Sequence, residues 1–137
     1  MIADLRFAIG NAEIFPVFQS QIANRQSAIY NTPMFVHCVY FWLNPGVPAE
    51  ERRALLNDCE DILSEIPTVR HIWSGTPADR PRDVVDSSYD VGLCVVFDDV
   101  KGHDVYQTHP KHDEFIKRHK QHWKRVQIYD HHRGSPL

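Results

Sequence analysis

Phe35 to Leu43, FVHCVYFWL, is an almost unbroken apolar run of aromatic and β-branched residues, closed by Asn44-Pro45-Gly46. A short run of that kind between turn residues reads as a buried strand. Side chains alternate across a strand, so Val36, Cys38, Tyr40 and Trp42 oppose Phe35, Val39, Phe41 and Leu43. Both faces are apolar. A sheet built on this strand needs cover on two sides, and that requirement sets the fold class sought in the rest of the chain.

Downstream, Pro48, Glu50 and Glu51 suit a first helical turn, and Leu55, Leu56, Cys59, Ile62, Leu63 and Ile66 recur at helical spacing until Pro67 stops the run. Thr68 to Gly75 (TVRHIWSG) alternates Val69, His71 and Trp73 against Arg70, Ile72 and Ser74, as a second strand does. Residues 76 to 87 carry two prolines and little periodicity and read as a surface loop. Tyr89 to Phe97 (YDVGLCVVF) is a third strand, joined to the second by that loop alone and therefore antiparallel to it. Asp98 or Asp99 caps a helix from near Val100, which breaks at His109-Pro110 and resumes over Lys111 to Gln121. Trp123 to Asp130 alternates as a fourth strand, and fraying is expected from His131 onward.

The order β-α-β-β-α-β implies an α+β, ferredoxin-like fold: a four-stranded antiparallel sheet with its helices on one face. Two helices cover one side. The other side needs a second apolar surface, and an identical sheet related by a two-fold axis supplies it, closing a dimeric α/β barrel. The domain is expected over residues 34–132, with residues 1–33 a loosely held N-terminal extension that start-codon choice would explain, and 133–137 a tail.

The chain has 137 residues, 42% of them hydrophobic and 24% charged, enough for one compact core. Its net charge of −3 gives no electrostatic reason to expect nucleic acid or an anionic membrane as partner. No apolar window is long enough to span a bilayer, and the first residues lack a signal-peptide pattern. Cys38, Cys59 and Cys94 have no C-x-x-C spacing and read as reduced core residues of a cytoplasmic protein. The tryptophans Trp42, Trp73 and Trp123 read as packing residues.

Seven of the nine histidines lie between His103 and His132. His112, Phe115, Ile116 and His119 share one helical face, which turns His112 toward the apolar interior. An imidazole there exchanges protons near neutral pH, and Tyr106 is a candidate donor to a developing enolate or alkoxide. His37 shares a strand face with Val39 and Phe41. These residues, with His109 and Phe115, outline a pocket for a small apolar ligand bearing carbonyl or hydroxyl groups. The plainer alternative keeps them structural: His112 pinning the helix break, Tyr106 a core aromatic, His37 a paired strand residue. His109, His112 and Asp113 lack matching ligands at diagnostic spacing, so neither a metal nor another cofactor is expected. His119, His122, His131 and His132 are expected on the solvated surface.

The strand His37-Cys38-Val39, the helix end Ile66-Pro67-Thr68-Val69, the strand Tyr89-Asp90-Val91, the element Tyr106-x-x-His109-Pro110-x-His112 and the closing Tyr129-Asp130 together resemble the stress-responsive α/β-barrel domain family, Dabb. The resemblance covers about Met34 to His132. It implies a ferredoxin-like fold, a homodimer closing a barrel, and a cytoplasmic setting. Some similar plant proteins are polyketide cyclases that close a ring by aldol chemistry without a cofactor. Carried over, His112 is the general base, Tyr106 polarises the carbonyl and His37 assists binding. The readings left open are a ligand-binding protein, an enzyme of cyclase, monooxygenase or isomerase type, and a purely structural dimer module.

Overall fold

A computed structural model of the chain describes residues 32–134. The expectations for the N-terminal extension up to residue 31 and for residues 135–137 lie outside them. The elements are β1 (Met34–Leu43), α1 (Ala49–Asp61), a 3-10 turn (Leu63–Glu65), β2 (His71–Gly75), β3 (Val91–Phe97), α2 (Val100–Thr108), α3 (Pro110–His119), a second 3-10 turn (Lys120–His122) and β4 (Trp123–Arg133). The strands form one antiparallel sheet in the order β2-β3-β1-β4, the ferredoxin-like arrangement. Among the described residues no helix is long and apolar enough to cross a membrane.

β1 is the centre of the sheet, and its burial alternates residue by residue as its sequence dictates. Phe35, His37, Val39, Phe41 and Leu43 are buried under the helices, with Leu55 and Cys59 of α1, Tyr106 of α2 and Phe115 of α3. The opposite face, with Val36, Cys38, Tyr40 and Trp42 from β1, is only half-buried in the protomer. Trp73 and Tyr129 extend that face and are exposed. Trp73 is therefore not a packing residue of the protomer, because its strand position turns it away from the helices. Nor are all three thiols in the core. Cys59 is fully buried, whereas Cys38 and Cys94 face each other across β1 and β3 on the uncovered side, Sγ to Sγ 3.8 Å.

Several boundaries differ from the sequence reading. The first helix ends at Asp61, and its last turn tightens into 3-10 geometry that still buries Leu63 and Ile66. β2 starts at His71, after Arg70 has donated its backbone N–H to Val96 and its Nε–H to Asp98. β3 starts at Val91 because the Asp90 side chain takes the place of a ladder partner: its Oδ2 accepts the Leu43 backbone N–H at 2.8 Å. β4 continues to Arg133, paired with Met34, so His131 and His132 are strand residues and not a frayed tail. Asp99 caps α2, accepting from Gly102 N–H at 2.9 Å. His119 is buried, not solvated: its Nε2 lies 2.8 Å from Asp58 Oδ2, a contact that ties α3 to α1. A full turn beyond Phe115 on the inward face, it has no exit to water.

Candidate functional site

The break between α2 and α3 is made by one residue pair. Pro110 opens α3, and the extended backbone of His109 (φ −70°, ψ 142°) both ends α2 and begins α3. The His109 Nδ1 accepts the Lys111 backbone N–H at 3.0 Å, so this ring is spent on capping. The bend brings His112, on the first turn of α3, edge-on to Tyr106 of α2, with ring centroids 4.8 Å apart.

Beneath them is His37. Strand register sets it directly opposite Asp130, and its Nδ1 lies 2.6 Å from Asp130 Oδ1. An ionised carboxylate only accepts, so Nδ1 carries the hydrogen and Asp130 fixes the ring orientation. His103 completes the group, three residues before Tyr106 and so on the same face of α2. Its ring stacks on Phe35 at 4.5 Å and sits 4.8 Å from that of His37. The Tyr106 ring stands 5.8 Å from His37 and 5.0 Å from Phe97.

Burial sets the protonation states. It lowers the His112 pKa, and the positive charge His37 and His103 can carry lowers it further against a smaller opposing effect of Asp113. Burial and the neighbouring His37 likewise lower His103, opposed by Asp130 and Asp104. The Tyr106 phenol is pushed well above its ordinary value by burial and then by Cys59. At neutral pH a neutral imidazole thus faces a protonated phenol, one a proton acceptor and the other a hydrogen-bond donor.

The two rings open onto a cavity of about 160 Å³ between helices and sheet. His37, Val39, Phe41, Tyr106, His112 and Phe115 all line it, joined by Leu93, Gln107, Ile116, Trp123, Val126 and Ile128. The sequence candidates therefore converge, except His109. Trp123 adds an indole Nε1–H that is buried without a partner, a donor that a guest acceptor or an ordered water would satisfy. A wider depression of about 500 Å³ beside α1 is lined by Ala49, Glu50, Arg53, Ala54 and Asn57, and has no histidine or aromatic side chain.

Two residues of the site escaped sequence reading. Asp130 is 93 positions from His37 and meets it only through the β1–β4 register. For His103 a signal existed, its i to i+3 spacing to Tyr106 on a capped helix.

Residues 35–132 match the family described as Stress responsive A/B Barrel Domain, Dabb. A Dabb family protein with a ferredoxin-like fold from Mesorhizobium loti is similar at 26% identity and a TM-score of 0.61, over 77% of this chain and 98% of that one. A dimeric protein of unknown function and ferredoxin-like fold from Bacteroides fragilis is similar at 24% identity and a TM-score of 0.56, over 72% and 94%. The hydroxynitrile lyase of Passiflora edulis shares the fold at 14% identity and a TM-score of 0.62, over 76% and 96%. At that identity the likeness is one of fold alone. No curated protein sequence matches the chain. With nearly the whole described domain inside the matched span, the chain belongs to the Dabb family of stress responsive A/B barrel domains.

Proposed function

We propose that the protein is a homodimer that binds a small apolar carbonyl compound in the cavity beneath α2 and α3, with His112 as proton acceptor. The observation that carries the reading is the cavity itself. A module with a purely structural role has no use for an empty volume where an uncharged imidazole and a protonated phenol meet. Its size matches the roughly 150 Å³ apolar cavity that accommodates a benzene molecule, so the ligand, or its reacting part, is about one ring in size. Val39, Phe41, Phe115 and Ile116 supply the apolar walls.

The arrangement suits proton transfer without a cofactor. His112 takes a proton from the carbon beside a carbonyl, the C–H electron pair becomes the enolate, and the Tyr106 O–H donates a hydrogen bond to the enolate oxygen. If that carbon then attacks a second carbonyl, a C–C bond forms and His112 returns its proton to the new alkoxide. His37, held by Asp130, orients the ligand from the sheet side.

Support for the homodimer comes from the uncovered sheet face and from the dimeric relative of the same fold. On that face Tyr40, Trp42, Tyr89, Arg125 and Tyr129 line a shallow hollow, with the Arg125 guanidinium 4.3 Å over the Trp42 ring. An aromatic surface of this kind with its charge at the side is what a second copy covers. The three free thiols suit a reducing cytoplasm.

Turnover of small diketones and aromatic keto compounds, followed by loss of substrate absorbance, tests the catalytic half. His112→Ala is expected to lower the rate by about 10²-fold or more, the usual contribution of a positioned acid–base group. His122→Ala, outside the cavity, is expected to leave it unchanged. Binding with no turnover in the parent chain would assign the cavity to a binding protein. Equal rates in both variants would remove His112 from the chemistry.

A further inference from the structure

We propose that His37, His103 and Asp130 form a site for one divalent late first-row transition ion, with zinc the best fit. One ligand atom from each residue lies within 4.8 Å of the other two. Three separate elements deliver them: His37 from the central strand β1, Asp130 from the register position opposite it on β4, and His103 from α2 packed above. No sequence spacing encodes this set, which is why a search for ligand motifs passes over it.

The chemistry of the donors selects the ion. Two imidazoles and a carboxylate match zinc and its neighbours, whereas calcium and magnesium take all-oxygen shells. Ligand atoms about 2.0–2.2 Å from zinc sit about 3 Å or more from one another, so Asp130 must retreat slightly from its 2.6 Å contact and His103 must swing inward. Both have the freedom to do so. Asp130 is 36% exposed and His103 only partly buried, while His37, at 3%, is the fixed ligand. His103 Nε2 accepts from the Gln107 Nε2–H at 3.0 Å, so a His103 that binds metal through Nδ1 and carries its hydrogen on Nε2 needs the Gln107 amide turned to present its oxygen.

On binding, the metal replaces the hydrogen shared by His37 Nδ1 and Asp130 Oδ1. His37 changes tautomer, its ring hydrogen moving to Nε2, and coordinates as a neutral imidazole through the vacated Nδ1, while the already ionised Asp130 coordinates through its oxygen. Three protein ligands leave at least one coordination position for water or a ligand oxygen. His37 belongs to the cavity wall, so the ion would stand at the edge of the same cavity. His112 is not in the set, so the metal titration is read apart from proton transfer, although His37 and Asp130 serve in both readings.

The test uses the full chain, stripped with chelator and checked by circular dichroism, then titrated with Zn²⁺ by calorimetry and with Co²⁺ by visible absorbance. The expected result is one equivalent per protomer and a Co²⁺ spectrum of low coordination number. His103→Gln and Asp130→Asn, both at partly exposed positions, are expected to weaken binding by about tenfold or more. His112→Ala is expected to bind as the parent does. The exposed His131 and His132, on opposite faces of β4, are rival single-ligand sites, so a double His131→Ala, His132→Ala variant is included. Loss of binding in that variant with retention in His103→Gln overturns the proposal, as does the absence of saturable binding in the parent.

Discussion

Tyr129→Asp is expected to give a folded protomer that no longer self-associates. Tyr129 is 62% exposed in the protomer, so its replacement removes little of the core. It lies on the uncovered face opposite Cys38, with its ring 6.2 Å from that of Tyr40. In the proposed dimer the same position is covered by the second sheet, and an unpaired carboxylate there costs several kcal/mol to desolvate. A cost of about 4 kcal/mol is roughly a thousandfold in the dissociation constant. Sedimentation equilibrium measures it directly, with Tyr129→Phe as the variant that keeps the ring and the dimer. A parent chain already monomeric at micromolar concentration, or an Asp variant with unchanged mass, would remove the dimer from the proposal.

Phe97→Ala is expected to cost about 3–5 kcal/mol of unfolding free energy, a large part of the roughly 5–15 kcal/mol that stabilises a domain. Phe97 is 1% exposed at the end of β3. Its ring meets Phe35, His103 and Tyr106 with centroids 6.3, 5.6 and 5.0 Å away. Removing it leaves a void under α2 that neighbours fill only in part. Urea unfolding at fixed protein concentration reads the loss. Because Phe97 forms the floor under Tyr106 and His103, the same variant is expected to loosen the site in whatever fraction stays folded. A loss under about 1 kcal/mol would mean that the core closes over the gap and that the packing described here is not limiting.

The fold was legible because local chemistry and global placement agree along most of the chain. The double-faced apolar pattern of β1, the aspartate before α2 and His109-Pro110 each specify one local event, and each event occurs where its residues stand, whereas α1 already ends at Asp61, ahead of Pro67. Boundaries depart from the sequence pattern where a side chain takes over a backbone role, as Asp90 does for Leu43. The inward direction of His112 follows from helical spacing, and the same spacing places His119, further along that face, in the interior. Its charged neighbours Lys117, Arg118 and Lys120 suggested surface, yet they belong to other faces of α3. The Asp130 contact lay beyond sequence reasoning because it depends on the strand register, and a slip of one residue would turn Asp130 to the far face. Residue types alone also gave His109 a place at the ligand, although its ring is occupied in starting α3.

The central claim is that His112 is held neutral, half-buried at the cavity beside a protonated Tyr106. For a base with a lowered pKa, the folded state binds fewer protons than the unfolded chain between its own value and about 6.5. The stability this contributes is complete above that window and is lost as pH falls through it. Proton and nitrogen NMR of the ring across this range, assigned by comparison with His112→Ala, reads the group itself. A titration midpoint below the ordinary value of 6.5 is the expected result. A midpoint at or above 6.5, as for an imidazole in open water, would contradict the half-buried proton acceptor on which the proposed function rests.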